Sequence, residues 1–294
     1  MNSINCRGCN TTLKHVVIDL GNCPPANSFI PHERLSEPEI FYPLKVLICE
    51  KCFLVQIGEM KNHKDIFNES YPYFSSYSKK WLEHSKQFSE KAIRKFNLNS
   101  SSKVVEIGSN DGYLLQFFQE KGVPSLGIDP SLATARVARE KNIETLTDFF
   151  GEDLAKRLAE RRGRADLLVG NNVLAHVPNI HDFVSGLEIM LDNKGAIALE
   201  FPHIKSLIEK NEFDTVYHEH FSYFSLASIK PIFEMHGLEI FDIERFPTHG
   251  GSLRLYVKHT TDKTKEVSKN IEDLLEEEER AGMKDVNYYK TIRE

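Results

Sequence analysis

From Lys103 onward the chain alternates short apolar runs with amphipathic segments. "KVVEIG" is followed by "GYLLQFFQEKG", "PSLGIDP" by "ATARVAREKN", and then come "IETL", "ADLLVGNN", the helical pattern of "DFVSGLEIML", and "GAIALEFPH". Runs that are apolar at successive positions describe strands buried on both faces, and strands joined through helices run parallel. The pattern therefore predicts a mainly parallel sheet with helices on both sides. A helix capped by Ser225, "SLASIKPIFEMHG", follows, with Gly237 just past its end. "LEIFDIERF" and "SLRLYVKH" stand only "PTHGG" apart, too close for a crossover helix, so they should pair antiparallel.

All five cysteines precede this pattern. A length of 294 residues accommodates two domains, the net charge is −6 with a pI near 6.1, and Lys and Arg are scattered. No basic stripe marks a nucleic-acid or membrane surface, and no apolar run approaches the about 20 residues of a membrane span. The start "MNSINCRGCN" lacks a secretory segment, so we expect a cytoplasmic protein whose cysteines stay reduced. Cys6 and Cys9, with Cys49 and Cys52, then read as two CxxC knuckles closing a tetrahedral structural Zn2+ site. Cys23 is unpaired and reads as a small buried side chain. The acidic run Glu276 to Glu279 reads as one solvated helix face. The expected organisation is a zinc-binding module over 1–70, a linker over 71–100 whose helix runs from Lys79 to about Phe96, a catalytic domain over 101–259, and an acidic helical segment over 260–294. Val267, Ile271, Leu274 and Leu275 should line the inner side of that last helix.

"VVEIGSNDG" places Glu106 at the end of the first sheet strand and Gly108, Asn110, Asp111 and Gly112 in the turn after it. Glycines there let backbone approach a ligand. The acid before the loop and Asp111 within it disfavour a pyrophosphate, which is drawn to a helix N-terminus free of negative charge. S-adenosylmethionine has no phosphate. Asp129, ending the second strand, is placed to accept from both its ribose hydroxyls, and Asp148 and Phe149 to meet its adenine. A parallel sheet with an antiparallel closing pair matches this reading: an α/β fold with the Rossmann-like sheet of class I methyltransferases.

Taken in order, "CRGC", "CEKC", "LGNCPPAN", "YPYFSSYS", "VVEIGSNDGYLL", "GIDPS", "NNVLAHVPN", "EFPH", "YHEHFSYFS" and "HGGSLRLYV" resemble the zinc-containing sugar C-methyltransferases of deoxysugar pathways, over residues 6 to about 257. The resemblance implies methylation at C3 of a nucleotide-linked 4-keto deoxysugar, a small-molecule partner. It implies His220 as the base, Tyr217 and Glu219 in support, His176 nearby, and Tyr71 or Tyr73 reaching in from the linker. Members of that family usually continue past the acidic helix into a second α/β domain that helps hold the nucleotide sugar. A chain ending at Glu294 is therefore expected to lack it.

Methylating a carbon beside a ketone needs a base for the α-proton, a donor to the enolate oxygen and an aligned methyl group. Histidine suits the first. "YHEH" follows the fifth strand, on the side where open α/β sheets bind ligands, and His176 follows the fourth. Glu106, Asp129, His176 and the run Glu200 to His203 should converge on one crevice. Plainer readings stand beside these: His218 as a loop-stabilising or exposed side chain that points with His220 if the segment is extended, His203 in a local hydrogen bond, Tyr223 as packing, and His249 with Gly250 and Gly251 as either a hairpin turn or a substrate contact. Two rival functions also fit. "HEH" with His176 or His203 describes a hydrolytic metal site, and a non-catalytic cofactor-binding relative would serve as a partner protein.

Overall fold

The computed structural model describes residues 4–58 and 72–293. Tyr71 lies outside them. The N-terminal segment forms β1 (His15–Cys23), β2 (Tyr42–Ile48) and β3 (Val55–Ile57), paired antiparallel in chain order. The "CEKC" turn folds the apolar run from Tyr42 to Gly58 back on itself. Helix α1 (Lys79–Lys95) starts where the Ser78 side chain accepts from the Trp81 N–H, and it buries Trp81, Phe88 and Ala92 on one face, as its spacing predicts.

The alternating pattern becomes β4 (Val104–Ile107), α2 (Leu115–Glu120), β5 (Ser125–Ile128), α3 (Leu132–Glu140), β6 (Thr145–Leu146), α4 (Glu152–Arg162), β7 (Ala165–Asn171), α5 (Ile180–Met190) and β8 (Leu191–Pro202). After α6 (Ile204–Glu209) and the two-residue β9 (Ser222–Tyr223) come α7 (Leu226–Met235), β10 (Leu238–Phe246), β11 (Ser252–His259) and α8 (Asn270–Arg280). The large sheet has the order β6-β5-β4-β7-β8-β11-β10. Only β11 runs against its neighbours, so the closing pair is antiparallel as expected.

Side chains alternate between the two faces. Val104, Leu167, Val169, Ala196 and Ala198 pack with Trp81, Phe88 and Leu115 on one side. Val105, Leu168, Ile197 and Leu199 pack with Leu158, Leu187, Ile229 and Leu274 on the other.

Three features depart from the sequence reading. The small sheet has four strands, β1-β2-β3-β9, and its last strand comes from the segment just after His220. The acidic helix begins at Asn270, which leaves Val267 outside it and exposed. Glu278 is not part of a solvated face: it is 1% exposed, and its carboxylate accepts from the backbone N–H groups of Leu226 and Ala227 and from His203 Nε2, each at 2.8 Å. It anchors the N-terminus of α7, where a negative charge is favoured. The partner of His203 thus comes from α8 and is not local. Met283, Tyr289 and Ile292 continue past α8 onto the small sheet.

Candidate active site

A cavity of about 1140 Å3 opens at the C-terminal ends of β4, β5, β7 and β8. Gly108 and Asn110 reach it after β4, Asp129 after β5, Asn171, Asn172 and His176 after β7, and Pro202 at the end of β8. Asp148 and Phe149 line one flank, and Tyr217, Glu219 and His220 line another. Tyr73 lines it as well, half exposed, with its hydroxyl pKa raised by burial and by the charge of Asp111.

Glu106, Asp111 and Gly112 do not line the cavity. Glu106 lies fully buried, and the Tyr113 hydroxyl is near its carboxylate without a well-formed hydrogen bond. Burial pushes that carboxyl well above its ordinary range, against the opposing effect of the Tyr113 hydroxyl. The side chain of Asp111 meets Ser76 Oγ and, at 3.4 Å, Lys141 Nζ. Gly108 and Gly112 have φ of +66° and +76°, and a Cβ would lie 2.4 Å from Val173 Cγ2 or Ile143 Cδ1. Both glycines meet the turn's positive φ and its close protein packing, and Gly108 also lines the cavity. Asn110 ties the linker to the same turn: its Oδ1 accepts from Ser75 N at 2.9 Å and its Nδ2 donates to Tyr73 O at 3.0 Å.

The donor-rich cofactor inferred from the sequence can be tested against unspent acceptors. Asp129 accepts from Asn110 N, Ser131 N and Thr134 Oγ1 at 2.8–3.0 Å, leaving about one of its roughly four lone-pair positions. Asn171 Oδ1 and Asn172 Oδ1 are buried without a hydrogen-bond partner among the described residues. An ammonium and two ribose hydroxyls match these acceptors, so S-adenosylmethionine fits. Phe149 and Asp148, expected from the sequence to meet the adenine, are half-exposed at the cavity's flank, and Asp148 Oδ2 meets Arg157 Nη2 at 2.9 Å.

His220 is 8% exposed, and both of its ring nitrogens are engaged: Nδ1 with Thr215 O at 3.0 Å and Nε2 with the Tyr217 hydroxyl at 2.9 Å. A carbonyl can only accept, so Nδ1 carries the proton and Nε2 presents its lone pair on the cavity side, where the Tyr217 hydroxyl donates to it. Burial pushes the His220 pKa well below 6.5, with the neighbouring His176 adding to the effect. The His176 ring centroid is 4.8 Å away, and burial lowers its pKa to about 4. Glu219 Oε1 accepts from Asn27 Nδ2 at 2.9 Å.

The segment is turned, not extended, with His220 N bonded to Tyr217 O. His218 therefore leaves the cavity and reaches Tyr42 O at 3.2 Å, stabilising the loop against β2. "HEH" does not converge as ligands, and among the described residues the four knuckle cysteines are the only cluster able to hold a metal. The hydrolytic metal site is without a ligand set.

Sequence reasoning assigned no cavity role to Asn27, Trp81, Asn171 or Asn172, and left His249 between turn and contact. Asn27 sits in "LGNCPPAN", so the motif itself was a signal. His249 has φ of +49°, lines the cavity and meets the Trp81 ring edge-on at 5.1 Å.

The knuckles lie apart from this cavity. Their four Sγ atoms fall within 4.8 Å of one another, with Cys6 and Cys52 at 3.5 Å and Cys9 and Cys49 at 3.4 Å. Tetrahedral Zn–S bonds of about 2.3 Å place sulfurs roughly 3.8 Å apart, so the four cysteines fit zinc. Gly8 N, Lys51 N and Gln56 Nε2 point at the sulfurs. Cys23 stands outside the cluster, its Sγ 3.5 Å from Leu20 O. Purified protein is expected to carry about one equivalent of zinc by elemental analysis, and Cys49→Ser to lose most of it. Full zinc content in that variant would remove Cys49 from the ligand set.

Comparison with known proteins agrees with this arrangement. A zinc binding domain family matches residues 6–67 and a methyltransferase domain family matches residues 78–243. C-methyltransferase NovU of Streptomyces niveus is 31% identical over 285 residues, 97% of this chain and 67% of that protein. A ubiquinone biosynthesis O-methyltransferase of Rhodopseudomonas palustris is 28% identical over 118 residues, 37% of this chain and 46% of that protein. The PH0226 protein of Pyrococcus horikoshii shares the fold at 12% identity and a TM-score of 0.51, covering 64% of this chain and 94% of its own. No described helix is long and apolar enough to cross a membrane. A C-methyltransferase C-terminal domain family matches residues 247–294, which corrects the expectation that this domain is lacking. With its zinc knuckles, its cofactor cavity and a NovU-like sequence along nearly its whole length, the chain belongs to the zinc-containing S-adenosylmethionine-dependent C-methyltransferases.

Proposed function

We propose that this C-methyltransferase acts on the carbon α to a ketone, at C3 of a nucleotide-linked 4-keto deoxysugar, with His220 as the base. The observation that carries the reading is the Thr215 carbonyl on His220 Nδ1, which fixes the tautomer and leaves Nε2 basic beside the Tyr217 hydroxyl.

The acceptor's α-proton passes to His220 Nε2, and the electron pair of the C–H bond delocalises onto the ketone oxygen as an enolate. A buried imidazolium is costly, and the enolate formed beside it is its counter-charge. In the free protein the Tyr217 hydroxyl donates to Nε2. Once the acceptor enters, the same hydroxyl is placed to donate to the enolate oxygen. Glu219, held by Asn27, and His176, beside His220, orient the acceptor, and Tyr73 reaches in from the linker. The bound S-adenosylmethionine supplies an electrophilic methyl group for the carbanion. Soluble localisation in the cytoplasm and action on a free nucleotide sugar belong to the same proposal.

The test is methyl transfer from labelled S-adenosylmethionine to a panel of nucleotide-linked 4-keto sugars. Product carrying label at C3 is expected. Label on oxygen or nitrogen, or no transfer to any 4-keto sugar while another ketone is methylated, would overturn the acceptor assignment.

A further inference from the structure

Arg7 stands between the two cysteines of the first knuckle, yet its guanidinium is spent on the loop that carries His220. Nη1 donates to Phe221 O at 2.9 Å and to Ile57 O at 3.0 Å, and the guanidinium carbon lies 6.0 Å from the Phe221 ring centroid. Phe221 O also accepts from Ile57 N at 3.1 Å, while Phe221 N donates to Ala175 O at 2.8 Å. The Phe221 residue is thereby pinned from both sides, one position after His220 and against the residue before His176. Arg7 is fixed in turn: its own N–H donates to Gln56 Oε1 at 3.0 Å, and Gln56 Nε2 donates to Cys6 Sγ at 3.3 Å.

We infer that Arg7 is a positioning residue for methyl transfer: it holds the Phe221 carbonyl, and so sets the His220–His176 pair against the cavity. A cation suits this place. Four thiolates around Zn2+ would leave the knuckle with a net negative charge, which a guanidinium beside it complements. Arginine offers several donors in a fixed fork, and its Nη1 bridges two carbonyls from different segments. The zinc knuckle therefore does more than close a small module; through Arg7 it sets the place of a side chain more than 200 residues away in sequence.

The inference rests on the proposed role of His220, and its test keeps the two apart. In zinc-loaded Arg7→Met, kcat is expected to fall about 10- to 100-fold, as with other groups that orient a reacting side chain. Zinc content and the Kd for S-adenosylmethionine should stay at wild-type values. The ring nitrogens of His220 in 15N-labelled protein should change from a single Nδ1–H tautomer to an averaged pattern. Wild-type kcat, or a lowered kcat with an unchanged His220 nitrogen pattern, would overturn the inference. If Arg7→Met does not load zinc, Arg7→Gln, too short to reach the Phe221 carbonyl, carries the same readouts with the same deciding results. The nitrogen pattern does not require His220 to be the base, so an active His220→Asn variant would sink that role while leaving the Arg7 result readable.

Discussion

His220→Asn is expected to lower kcat about 10²- to 10⁴-fold, the range a positioned general base contributes, with the Kd for S-adenosylmethionine unchanged. Asparagine is the informative replacement because its amide N–H can still donate to the Thr215 carbonyl that His220 Nδ1 engages. The loop keeps its anchor and only the basic nitrogen is lost. Turnover within a few-fold of wild type would move the base to another group, with His176 and Tyr217 the nearest candidates.

A pH profile sharpens the same expectation. Burial and His176 hold the His220 pKa well below 6.5, so the neutral, basic form persists as pH falls through 6.5. The acid limb of kcat/KM attributable to His220 should therefore lie below pH 6.5, where an exposed histidine would have its midpoint. Stability runs the opposite way at low pH. The unfolded chain protonates these histidines near 6.5, whereas folded His176 resists until about 4, so stability is lost as pH drops from about 6.5 toward 4.

The fold was legible because its signals are local. Strands buried on both faces must be apolar throughout, and Val104 to Ile107 and Ala196 to Leu199 read as strands without any knowledge of their neighbours. The two knuckles announced themselves by spacing. What stayed hidden depends on contacts across long separations. Nothing near Glu278 shows that it leaves an acidic helix face to anchor a helix some fifty residues earlier. Asn27 and Glu219 meet across 192 residues, and Ser222 and Tyr223 join a sheet whose other strands end at Ile57. At Gly108 and Gly112 the motif showed the turn, but not the closeness of Val173 and Ile143, which adds a second reason that no side chain fits there. The resemblance singled out His220 over His218, but the physical reason needed the turn at Tyr217, which sends one ring to Tyr42 and the other to the cavity.

The second large effect expected is on stability. Arg254→Met should destabilise the protein by about 3–5 kcal/mol, the usual cost of removing one partner from a buried ion pair. A lone arginine in the apolar run "SLRLYV" was its only sequence signal. Cross-strand register sets Arg254 opposite Glu200 on β8 and opposite Glu244 on β10. Its guanidinium lies between the Phe88 and Phe246 rings, at 4.1 and 4.5 Å, and its Nη2 donates to Glu200 Oε2. Burial acts to raise the Glu200 carboxyl, but the hydrogen bond from His84 and the charge of Arg254 together hold it below its ordinary value. His84 Nε2 donates to Glu200 at 2.8 Å and its ring stacks on Trp81 at 5.1 Å, while Thr248 Oγ1 donates to Glu200 Oε1 at 3.1 Å and so steadies the turn presenting His249. Removing Arg254 leaves a fully buried carboxylate with only these two donors. Thermal denaturation should show a drop on the order of 10 °C. Adding Glu200→Gln to Arg254→Met should recover most of the loss, since the charge left behind is then removed and the amide oxygen still accepts from Thr248. A double variant as unstable as the single one would show that the arginine acts through packing between its two phenylalanines and not through the charge of Glu200.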